Sequence, residues 1–193
     1  GVSSIREKYY RYYEGTYHAT TNPGYHHQLQ YVIDFEGTRG YDWDQDASLD
    51  DDFLTASEND LKPYASAYFE YDTERRIVSM WANGACGCSG ASSGTHNFTY
   101  ETNSGYSDGT GYDTPWKKRT IVEKPSFKNK TADAAVESWV TQNFDEVGQP
   151  RGRILSDDDP ATASNFWVTS VKRNSNSSVP IRIDSPANAT GYT

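Results

Sequence analysis

Residues 28–36 read QLQYVIDFE, and this stretch decides the fold class. In an extended chain Leu29, Tyr31, Ile33 and Phe35 share one side, while Gln28, Gln30, Asp34 and Glu36 share the other, with Val32 the one apolar residue out of place. That alternation predicts a half-buried strand. The same signal recurs on both sides of it. YASAYFEY (64–71) and RRIVSMWAN (75–83) are joined by a polar DTE and predict a hairpin. HNFTYE (96–101), KRTIVE (118–123), NFWVTSVK (165–172) and PIRID (180–184) add further strands, and KYYRYYEGTYHAT (8–20) reads as extended.

Composition agrees with this pattern. The chain has 15 Tyr, 7 Phe and 5 Trp, so aromatic residues rather than Leu must build the core. Tyr, Trp, Val and Thr suit a pleated, half-buried surface, and a Leu-poor chain makes few long helices. One segment departs from the period of two. In TADAAVESWVTQNFDEVGQP, the residues Ala135, Val136, Trp139, Val140, Phe144 and Val147 recur at spacings of three and four. With Thr131 as N-cap, Asp133 in the first turn, and Gly148 and Pro150 as stop signals, the spacing predicts one amphipathic α-helix over about 131–147. The expected fold is mainly β: a β-sandwich of jelly-roll or related type with that single helix.

At 193 residues the chain is long enough for one domain with a sizeable core. A single β-rich domain over 1–193 is expected, with an extended N-terminal arm at about 1–20 and a tail at about 184–193. The net charge of −9 disfavours phosphate backbones and anionic lipid headgroups, so neither nucleic acid nor membrane insertion is expected. Sequons at Asn97, Asn129, Asn176 and Asn188 fit an extracellular, cell-surface or virion location.

The acidic stretch RGYDWDQDASLDDD (39–52) is the first candidate for chemistry. Oxygen ligands two residues apart can turn inward on a hard cation, so Asp42, Asp44 and Asp46 are the candidate metal ligands and calcium the cofactor they would suit. The helix-loop-helix calcium template fails at Ala47, where a Gly is wanted, and at Phe53, where a Glu belongs. The alternative is a solvated acidic loop. SDDDP (156–160) reads as a turn cap. Cys86 and Cys88 are too few for a disulfide framework and admit a disulfide, either local or between subunits. A zinc site joining them to His26, His27 or His96 is a weaker reading.

No nucleophile elbow and no phosphate-binding Gly-Lys-Ser/Thr loop occurs, and the chain is expected not to be an enzyme. The one catalytic alternative is a glycan hydrolase using two of the strand glutamates Glu36, Glu70, Glu101 and Glu123. Aromatics supply the other candidates. Tyr9, Tyr10, Tyr12 and Tyr13 lie on both sides of an extended segment, and Tyr106, Tyr112 and Trp116 lie in or beside a Gly-rich loop. Tyr and Trp join a large contact area to a polar handle, which suits subunit interfaces or sugar rings. The expected function is a structural subunit that assembles with copies of itself or related subunits into an extracellular or virion shell or filament. The alternative from another class is a carbohydrate-binding module, calcium-assisted, with glycan as its partner.

Overall fold

The computed structural model describes residues 8–34, 55–82, 94–106, 116–128, 135–156, 166–173 and 179–189. The chain is mainly β and divides into two compact units, Gly1–Thr95 and His96–Thr193, where the sequence predicts one domain.

The first unit carries β1 (Tyr9–Tyr12), β2 (Leu29–Ile33), β3 (Ala67–Tyr71) and β4 (Ile77–Ala82), each antiparallel to the next. Strand β2 lies within QLQYVIDFE. As the alternation predicts, Tyr31 and Ile33 are buried, and they pack with Leu61 and Ala65 into the core of this unit. Leu61 and Ala65 come from a short helix α1 (Glu58–Leu61) and the 3-10 turn that follows it, Lys62–Tyr64. The sequence signal for α1 is a capping box: the Ser57 hydroxyl accepts from the Asp60 N–H, and the Asp60 carboxylate accepts from the Ser57 N–H at 3.1 Å. The hairpin of β3 and β4 forms where DTE predicts it. Its turn is held by Asp72, whose carboxylate accepts from the backbone N–H groups of Glu74 (2.8 Å) and Arg76 (2.9 Å).

The arm expected at 1–20 therefore contains a paired strand, β1. The structure ties it down further. Tyr13 is 1 % exposed, and its ring lies so close to Gly24 that a Cβ there would overlap it. Only a residue without a side chain lets the chain pass.

The second unit carries β5 (Thr95–Thr102), β6 (Lys118–Lys128), β7 (Ala135–Phe144), β8 (Pro150–Ser156), β9 (Phe166–Arg173) and β10 (Pro180–Ala189), again each antiparallel to the next. Register places Phe98, Val122, Val140, Leu155 and Trp167 in one cross-strand row. The adjacent row, on the opposite face, is Thr99, Ile121, Thr141, Ile154 and Val168. Strand β10 runs through Ala189, so residues 184–189, expected as tail, pair with β9.

One expectation is corrected. The helix over about 131–147 is absent, and β7 occupies Ala135–Phe144. Both neighbours hydrogen-bond to β7, and apolar residues stand on both of its faces, which removes the simple alternation and leaves a spacing that resembles a helical stripe. Val, Trp, Thr and Phe also favour strand over helix. Gly148 ends no helix. At φ +82° it is the left-handed residue of the β7–β8 turn, whose Asp145 carboxylate accepts from the N–H groups of Val147 (3.1 Å) and Gln149 (2.8 Å). The jelly-roll type is not confirmed. Every described strand pair joins sequence neighbours, so the crossover connections of a jelly roll do not occur among the described residues.

Candidate functional site

The segment YYRYY (9–13) behaves as two sets of side chains. Along it Tyr9, Arg11 and, just past β1, Tyr13 turn inward, while Tyr10 and Tyr12 stand 47 % and 50 % exposed. Tyr13 is a core residue: its hydroxyl donates to the Phe69 carbonyl at 2.7 Å and lies 3.2 Å from the Tyr68 hydroxyl. Burial pushes the Tyr13 and Tyr31 phenols well above their ordinary range, and burial together with the nearby Glu70 charge pushes Tyr68 up to about 12. All three are neutral at physiological pH.

Opposite β1, the register of β2 slips by one residue between Arg11 and Tyr12, so that Tyr12 faces Leu29 and Arg11 faces Tyr31. Gln30 is the extra residue of this bulge. Alternation assigns Gln30 to the polar side, yet it is 2 % exposed, beside an equally buried Tyr31. Its amide donates to the Glu58 carboxylate at 2.8 Å, which satisfies a buried polar group and fixes the first residue of α1. Arg11 completes the arrangement. It donates to the Ala56 carbonyl at 2.8 Å and, through Nε, to the Tyr9 hydroxyl at 3.2 Å.

These groups form one wall of an open cavity of about 540 Å³. Tyr10, Tyr12, Glu14, Asn22, His26 and His27 contribute the rest of the lining. The two histidine rings meet edge to face at 3.8 Å, and His27 adopts φ +70° in the turn before β2. Asn22 is held by donating to the carbonyls of Glu14 (3.1 Å) and Thr16 (2.8 Å). The sequence pointed to the tyrosines, and to His26 and His27 only as weaker candidates for a zinc site with the cysteines. Arg11, Gln30 and Glu58 were missed; the capping box before Glu58 was legible, but no local pattern signals the bulge.

The aromatics in or beside the Gly-rich loop are placed differently. Arg119 lies 4.1 Å over the ring of Trp116 and is itself fixed by Asn143 (3.0 Å) and by Glu101 (3.5 Å). Lys117 stands 6.0 Å from the Tyr106 ring. One face of each ring is thus approached by a cation of its own chain, and Tyr112 lies outside the described residues.

Asp42, Asp44 and Asp46 lie outside the described residues, as do Cys86, Cys88 and Glu36. Among the described residues no group of three or more His, Cys, Asp or Glu side chains is arranged to hold a metal ion. Of the strand glutamates, Glu101 is engaged by Arg119, and Glu123 accepts from the Asn97 amide at 2.9 Å. Among the described residues no helix is long and apolar enough to cross a membrane. The outermost described strand of the second unit, β10, presents Ile181 and Ile183 to solvent at 59 % and 67 % exposure, and Val179 just before it is 56 % exposed.

No protein-family model, no curated protein and no solved structure matches the chain.

Proposed function

We propose that the protein is a non-enzymatic structural subunit that assembles with copies of itself in an extracellular or virion structure. The observation that supports this most directly is the outer edge of β10. A strand with one paired edge presents a row of backbone donors and acceptors on the other, and natural proteins usually blunt such edges with charge or shortness. Here the edge strand runs Pro180–Ala189; Pro186 and the register shift between Asp184 and Ala187 blunt its far half, whereas Val179, Ile181 and Ile183 at its start are all more than half exposed. Among the described residues no strand pairs with it there.

A second copy of the chain is the occupant that the sequence of this edge suits. In an antiparallel β10–β10 pair centred on Ile183, the exposed Ile183 side chains of the two copies stand directly across from each other. Burial of the isoleucines adds about 1.5–3 kcal/mol for each side chain fully covered. The β-sandwich belongs to the same proposal. Thr141, Ile154 and Phe166, each 3 % exposed or less, support it, because a sandwich buries one face of each sheet.

The test is the oligomeric state over a range of concentration, by sedimentation or light scattering. The expected result is concentration-dependent association of the full chain, lost in Ile183→Lys while the circular dichroism spectrum is kept. A wild-type chain that stays monomeric at every concentration and salt tried would overturn the proposal.

A further inference from the structure

We infer that the cavity of the first unit, bordered by β1, the His26–His27 turn and the start of α1, is a binding site for a neutral oligosaccharide. This goes beyond self-assembly, because nothing in it depends on the β10 edge.

The volume of about 540 Å³ falls in the range of small-molecule sites, roughly 300–1,000 Å³. Its chemistry narrows the class of ligand. Of the lining side chains only Ala56 is purely aliphatic, so an apolar ligand would leave the carboxylates and imidazoles without partners. An anion meets two carboxylates, Glu14 and Glu58, against a single guanidinium. That guanidinium is already turned to the Ala56 carbonyl and the Tyr9 hydroxyl. What remains is suited to hydroxyl groups. Carboxylates accept from sugar O–H groups in strong, charge-assisted hydrogen bonds, while imidazole and phenol groups both donate and accept. Tyr10 and Tyr12, each about half exposed, offer ring faces for the C–H face of a pyranose.

The site is also prepared before any ligand arrives. Glu58 is oriented by Gln30, Asn22 by two backbone carbonyls, and Arg11 pins the segment before α1 at Ala56, so little ordering is needed on binding. The β2 bulge has a role here. It turns Gln30 inward to reach Glu58, which regular pleating would not do.

The experiment titrates the full chain with neutral hexasaccharides of glucose, mannose, galactose, xylose and N-acetylglucosamine, followed by calorimetry and saturation-transfer NMR. A hexagalacturonate serves as the anionic comparison. At least one neutral oligosaccharide is expected to bind, with saturation transfer to its ring C–H protons. Tyr12→Ala and Glu58→Gln are each expected to weaken binding about tenfold or more, and Tyr12→Phe much less. Trp167→Ala, in the second unit, should leave it unchanged. A native urea midpoint in each variant separates lost contacts from lost folding, and should Glu58→Gln unfold the unit, Tyr12→Ala alone decides. The inference is overturned if no neutral sugar binds, if only the anionic one binds, or if binding survives Tyr12→Ala in a folded protein. None of these readouts depends on association through β10, so either proposal can fail alone.

Discussion

The hydroxyl of Tyr13 donates to the carbonyl oxygen of Phe69 at 2.7 Å, across a separation of 56 residues. This contact joins the N-terminal segment to β3 and carries the consequence that YYRYY is part of the folded unit. Tyr13→Phe keeps the ring against Gly24 but leaves the bond unmade. A loss of about 1–3 kcal/mol is expected. It is measured as a lower urea midpoint with an unchanged slope.

Alkaline pH should act through the same cluster. Burial raises the folded-state pKa of Tyr13, Tyr31, Tyr68 and Tyr71. Folding therefore favours their protonated form: the stabilisation is complete below the unfolded value of about 10, and is lost as pH rises above it through the folded values. Absorbance at the tyrosinate band, followed as pH rises past about 10, reads their ionisation. The buried set should ionise above that value, together with loss of the circular dichroism signal. Titration of all tyrosines in one step near pH 10, with the fold intact, would contradict this burial.

Acid should act through Asp72. Partial burial works against its charge, but backbone N–H groups of Arg76 and Glu74 and the Arg76 guanidinium at 2.7 Å outweigh it and hold the carboxyl below the usual range. A lowered folded pKa means stabilisation that is complete above the unfolded value of about 4 and is lost as pH falls through the folded one. Asp72→Asn should be less stable than wild type at pH 7 by about 1–3 kcal/mol. The gap should close in acid, as chemical denaturation at several pH values would show.

Thr141 offers a prediction of opposite sign. Its side chain is 2 % exposed, lies between Ile121 and Ile154 in register, and has a hydroxyl with no hydrogen-bond partner among the described residues. Val has nearly the same shape, favours strands equally and carries no group to desolvate. Thr141→Val should stabilise the second unit by about 1 kcal/mol, seen as a higher melting temperature. A destabilised variant would mean that the hydroxyl has a partner.

Much of the fold was legible in the sequence where one face of a strand meets a core and the other does not. QLQYVIDFE, the YASAYFEY–RRIVSMWAN hairpin and NFWVTSVK all lie where alternation puts them. The segment 135–144 was misread because Val140 stands on one face and Trp139 and Thr141 on the other. With both faces partly apolar, the spacing fits a helix as well as a strand, and only pairing with β6 and β8 separates them. RGRILS, which forms β8, gave too short and too charged a signal to be read as a strand.

The cavity shows the same division. The sequence by itself determined that tyrosines would crowd an extended N-terminal segment, and that a mainly β chain with an acidic balance would carry them. Which tyrosines are core and which are exposed was decided by tertiary structure, because Tyr13 is buried by Gly24, Tyr68 and Phe69 rather than by its own neighbours. The pairing of Gln30 with Glu58 was likewise settled only in three dimensions. A one-residue bulge reverses the face a side chain occupies, and its position depends on the partner strand, which no local period records.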